Sequence, residues 1–179
     1  MTPPERLTID LTVARDFLEP ARERHLVAQE LFALARRRVV ELTVAPQGLR
    51  LDVGGDLAEQ LQSAFGDEGV EEARQLAYLS EVTYPSPALF PGQYVSDFGP
   101  AWEHVVGAWR SHEGKPPKLA DRFHVETHTL EGRDVFITDD RPLRAMCRRL
   151  SGEHGFQVVA MGLAEYLEAR RRPDSEPEV

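Results

Sequence analysis

Asp134-Val135-Phe136-Ile137-Thr138-Asp139-Asp140-Arg141-Pro142 is the stretch on which the fold turns. A short apolar run passes into a Thr-Asp-Asp turn. Pro142 then falls in the first turn of a helix, where a missing backbone N–H costs nothing. The reading is a strand over Asp134–Thr138, a polar turn, and a helix over Arg141–Leu150. Just upstream, Leu119–Glu131 has helical spacing and is closed by Gly132, a residue suited to a helix C-terminus. Just downstream, Phe156–Ala160 (FQVVA) reads as another strand and Gly162–Arg172 as a closing helix.

The same alternation governs the N-terminal side. Leu7–Val13 reads as a buried strand and Val39–Val44 as a second one. Between them, Leu26, Val27, Leu31, Leu34 and Ala35 recur at helical spacing within Ala21–Arg38. Further helices are expected over 57–65 and 70–79. Tyr84–Pro100, with Pro85, Pro87, Pro91 and Pro100, reads as loop. Ala101–Ser111 resumes helix, with Trp102, Val105, Val106 and Trp109 on one face as core. The organisation expected is a single domain over 1–172, with an irregular Pro/Gly-rich segment at about 84–118 and a disordered acidic tail at 173–179. Strands alternating with helices imply an α/β fold with a mainly parallel sheet and helices on both faces. In such sheets, sites form beyond the carboxyl ends of the strands.

Bulk properties bound the function. The chain has 179 residues, enough for one domain with its own core. Its single cysteine, Cys147, excludes an internal disulfide and fits a reducing compartment, so a cytoplasmic location is expected. No run approaches the roughly 20 apolar residues of a membrane span, and the N-terminus lacks a secretory pattern. The net charge of −9 speaks against a plain nucleic-acid binder. The basic residues are nevertheless grouped, as Arg36-Arg37-Arg38 and as Arg141, Arg144, Arg148 and Arg149. A basic rim around an acidic centre would suit a metal-dependent nuclease; solvated helix faces are the plainer alternative.

Asp10 and Asp139-Asp140 each follow the apolar part of a strand, and Asp121 lies in the first turn of a helix. Carboxylates gathered at one sheet edge repel one another unless a cation sits between them. Mg²⁺ or Mn²⁺ favours such oxygen donors and leaves room for water and phosphate. Helix capping is the competing explanation for any one of these aspartates, Asp121 above all.

The run from Asp121 through His124, His128, Gly132, Arg133, Asp134, Phe136 and Thr138 to Asp139-Asp140 closely resembles the C-terminal half of PIN-domain proteins. Ile9-Asp10-Leu11-Thr12-Val13 resembles their opening strand. The resemblance covers 119–168 and 7–45. It implies a PIN-like three-layer α/β/α fold and a metal-dependent endoribonuclease. Asp10, Asp121 and Asp140 would then be catalytic acids that bind Mg²⁺ or Mn²⁺, with Asp139 a further metal ligand and Thr138 supporting them. Where the family usually has a glutamate, the nearest acid here is Asp52, which would be a weaker fourth catalytic acid, with Glu59 further along and less well placed; Leu11-Thr12 replaces the usual Thr-Asn. The resemblance also implies RNA as substrate, a possible small antitoxin partner and a possible homodimer. The alternative is a degenerate PIN-like binding or scaffold protein.

Of the remaining polar residues, His124 and His128 share a helix face. They are expected to support the site from beneath; a zinc site is the lesser reading, because no third ligand comes after them at a recognisable spacing. Arg133 is expected to pair with Asp134. Arg141, Arg144 and Lys118 are expected to meet substrate phosphate.

Overall fold

Glu5–Ile9 (β1) is the inner strand on which the sheet is built. In this computed structural model, which describes residues 3–43, 93–110 and 114–172, β1 pairs in parallel with Val40–Thr43 (β2) on one side and Val135–Ile137 (β3) on the other. β3 in turn pairs in parallel with Ala160–Met161 (β4). The strand order is β2-β1-β3-β4. The chain therefore winds outward from β1 to β2, returns, and winds the opposite way from β3 to β4. The reversal lies between β1 and β3, where such sheets open a crevice at their carboxyl ends.

The helices of the described residues are Leu11–Leu18 (α1), His25–Arg36 (α2), Gln93–Gly107 (α3), Leu119–Leu130 (α4), Arg141–His154 (α5) and Leu163–Arg171 (α6). Strand alternation sends successive side chains to opposite faces. Leu7, Ile9, Val40, Leu42, Val135 and Ile137 face α1, α2 and α6. Phe136 faces the other way, into a second core with Phe98, Trp102, Val105, Val125, Leu143, Met146 and Leu150 from α3, α4 and α5. Each of these large side chains contributes roughly 1.5–3 kcal/mol through burial. The result is an α/β fold of three layers around an all-parallel sheet, and no described helix is long and apolar enough to cross a membrane.

Several expectations change in detail. The first strand ends at Ile9, not Val13: Asp10 caps a helix instead, its Oδ1 accepting the Val13 N–H at 2.8 Å. Leu11, Ala14 and Phe17 then form that helix's buried stripe. α3 begins at Gln93 inside the expected Pro/Gly-rich segment and carries Pro100 within it. The strand expected at Phe156–Ala160 is confined to Ala160–Met161, although the Val159 carbonyl still accepts from Phe136 N–H at 2.8 Å. α5 runs on to His154 and stops at Gly155, whose φ of 75° is left-handed. Leu26, one of the apolar residues at helical spacing, is exposed, while Ala28, Leu31 and Phe32 are buried. The expected elements at 57–65 and 70–79, the tail at 173–179, and Asp52 and Glu59 lie outside the described residues.

Candidate functional site

Two strand ends meet at the reversal point. β1 delivers Asp10, whose backbone N–H donates to the Ile137 carbonyl at 3.1 Å. β3 delivers Thr138, Asp139 and Asp140. The Thr138 hydroxyl is fully buried; it donates to Asp10 Oδ2 and accepts the Asp140 N–H at 3.1 Å. One threonine thus ties the two strand ends together across 128 residues of chain.

Asp10 is 5% exposed. Burial pushes its carboxyl up from 3.8 to about 7, and the negative charges of Asp139 and Asp121 push the same way. The Thr138 hydroxyl and the Val13 N–H oppose the rise. Burial is the largest cause, and the two neighbouring carboxylates add to it.

Asp139 is half-buried beneath two cations. Arg24, at the start of α2, is ion-paired with Oδ2, and Arg144 of α5 lies 3.8 Å from Oδ1. Oδ1 also accepts the Leu163 N–H at 3.2 Å, at the N-terminus of α6. Gly162 leaves room for this: a Cβ there would lie 2.8 Å from Arg144 Nη1 and 3.1 Å from Asp139 Oδ1. Asp140 is exposed and caps α5, with Oδ1 accepting the Leu143 N–H at 3.0 Å. Asp121 Oδ2 accepts the Lys118 N–H at 2.6 Å in the first turn of α4. Both acids therefore have capping work besides any role in a site.

No family model, curated protein or solved structure matches this chain.

Carboxylates and a hydroxyl are hard oxygen donors of the kind Mg²⁺ or Mn²⁺ takes, and a buried acid displaced to about 7 gains by such a partner. By donor chemistry, Asp10, Asp139 and Asp140 fit the cation. Among the described residues no three His, Cys, Asp or Glu side chains are grouped as a ready-made cluster.

The histidines lie in a different place. His124 and His128 face the sheet from α4 and are buried. His128 Nδ1 is 3.0 Å from Thr8 Oγ1, and its ring meets Phe136 edge-on. Neither ring nitrogen of His124 has a hydrogen-bond partner among the described residues. Burial pushes both imidazoles down from 6.5 to about 4.

Of the expected phosphate contacts, Arg144 lies at the crevice and donates to the Thr138 carbonyl at 2.9 Å. Arg141 and Lys118 are exposed beside Asp140 and Asp121 respectively. The Arg36–Arg38 group belongs to the other edge: it precedes Val40, which pairs with Glu5 at the start of β1. That is roughly 15 Å along the strand from Asp10. The expected Arg133–Asp134 pair is replaced. Arg133 bonds Glu131 at 2.6 Å and Glu41 at 3.1 Å, and Asp134 accepts the Arg6 N–H at 2.7 Å. This network closes the amino-terminal edge of the sheet. Sequence reasoning missed Arg24, and no local signal marks it, because its partner is remote in the chain. It also missed Asp10 as a helix cap, which the Asp-Leu-Thr-Val spacing could have revealed.

Proposed function

We propose that this chain is a PIN-like, Mg²⁺- or Mn²⁺-dependent endoribonuclease acting at the crevice between β1 and β3. The observation that carries the reading is Asp10: a buried carboxyl held at the sheet's reversal point, displaced to about 7, with Asp139 and Asp121 among the charges displacing it. Its ionised form opposes folding, a cost that capping α1 and bonding Thr138 offset only in part. Asp10, Asp139 and Asp140 would hold the cation, with Asp121 at the rim and Thr138 orienting Asp10. A bound cation would activate a water and stabilise the oxygen that leaves the phosphodiester. Arg144, Arg141 and Lys118 would hold the RNA backbone, which partly offsets the acidic net charge. The resemblance to PIN-domain toxins extends the proposal to a toxin held by a small antitoxin, and to pairing as a homodimer.

Asp10→Asn tests the reading. It should abolish Mn²⁺-dependent cleavage of single-stranded RNA, by a factor of at least about 100, while circular dichroism shows the fold retained. Cleavage at the wild-type rate would overturn it.

A second reading is a PIN-like scaffold without catalysis. The capping bonds of Asp121 and Asp140 favour it, because they give each acid a purely structural reason to be present. Calorimetry with Mg²⁺ and Mn²⁺ separates the two: no binding by the wild-type chain up to tens of millimolar supports the scaffold.

A further inference from the structure

Arg24 reaches the site from the connection between α1 and α2, and that connection is clamped on both sides. Before it, Arg22 is ion-paired with the buried Asp16. After it, His25 Nδ1 lies 3.1 Å from the Asp16 carbonyl, and the Arg24 carbonyl accepts the Ala28 N–H at 2.9 Å. The backbone of Arg24 is therefore held, while its side chain is long and 50% exposed.

The two arginines at Asp139 are not equivalent. Arg144 is 21% exposed and is anchored a second time by its bond to the Thr138 carbonyl. Arg24 has Asp139 as its ion-pair partner and a large open side. A guanidinium and a divalent cation on one carboxylate repel each other, so the less anchored charge yields.

We propose that Arg24 is a displaceable counter-ion, which occupies Asp139 when no metal is bound and would give up that carboxylate to a divalent cation. The inference rests on the metal-site reading of the crevice. It adds that the chain itself carries a competitor for the metal, on an arm whose backbone need not move. Asp139 is then neutralised in both states, first by the arginine and then by the ion.

Calorimetric titration with MnCl₂ alone, without RNA, is the test. Arg24→Gln should bind Mn²⁺ about five- to tenfold more tightly than the wild type, the factor expected for removing one partly exposed competing charge. Arg24→Lys should stay within about twofold of the wild type, since it retains the competing charge. In an Asp139→Asn background the Arg24→Gln substitution should change nothing. Thermal melts of each variant confirm that the half-exposed side chain is not needed for folding. If the wild type binds Mn²⁺ and Arg24→Gln binds equally or more weakly, the counter-ion role is overturned and the metal site stands. A gain that persists undiminished without Asp139 overturns it as well, because the effect would then be general charge. If neither protein binds Mn²⁺, the metal-site reading falls and the counter-ion falls with it.

Discussion

Asp10 at the carboxyl edge of the sheet and the His124–His128 pair beneath α4 are both buried titratable groups, moved in opposite directions by the same force. Burial favours the uncharged form in each case, so the acid rises to about 7 and the imidazoles fall to about 4. Each region also has its buried threonine, Thr138 for Asp10 and Thr8 for His128. The difference is position. Asp10 stands where the sheet order reverses, with two further carboxylates raising it. The histidines lie against Phe136 and the sheet face. The lesson is that burial alone displaces a pKa, and that its place at the sheet's reversal point is what makes Asp10 a candidate for a site.

The two regions together yield a stability profile with opposing slopes. Asp10 has a raised value, so its contribution is full below about 3.8 and is lost as pH rises through about 7. The histidines have lowered values, so theirs is full above 6.5 and is lost as pH falls towards 4. The largest expected effect comes from taking the acid away. In metal-free protein at pH 8, Asp10→Asn should be more stable than wild type by up to about 4 kcal/mol, an advantage that vanishes at pH 4. Urea melts at both pH values check it, and an equal difference at the two would break the comparison.

Next in size is the histidine side. His124→Leu should be near wild type at pH 7.5, because no hydrogen bond of the ring among the described residues is lost. Between pH 7.5 and 4.5 it should lose about 2–3 kcal/mol less than wild type. Guanidinium unfolding across that range measures this, and parallel losses would refute a buried neutral ring. The smallest effect sharpens the contrast between the two threonines. Thr138→Val leaves both Asp10 Oδ2 and the Asp140 N–H short of a partner and should cost about 2 kcal/mol. Thr8→Val removes a single bond to His128 and should cost about 1 kcal/mol. A reversed order in chemical denaturation would show that Thr138 is not the tie between the strand ends.

Much of this architecture is legible in the chain. Val135–Ile137, Pro142 and Gly132 are local signals, and they place β3, α5 and the end of α4 correctly. The parallel character of the sheet comes from strands separated by helices. The boundary of β1 is hidden because Leu11 and Val13 extend the apolar run, and only the side chain of Asp10 decides that the chain turns helical there. The start of α3 is hidden because Pro100 marks a break in most contexts and here is carried inside a helix. In the candidate site, Asp10, Thr138 and Asp139 are legible because they come directly after strands. Arg24 is not, since an arginine between two helices carries no periodic or motif signal. The Arg133–Asp134 pairing fails for a related reason: neighbours on a turn point apart, and Arg6, Glu41 and Glu131 offer better geometry.

The place of β1 in the sheet order has a consequence for how the molecule is made. β1 is synthesised well before β3, yet the two pair side by side, with Leu7 against Val135. Closing so long a stretch of chain is entropically costly and slow compared with forming a helix. The β3-facing edge of β1 therefore stays unpaired until residues 135–138 have been synthesised, and the Thr138–Asp10 bond cannot form before then. The carboxyl that the proposed function makes central therefore meets its hydroxyl partner only late in translation.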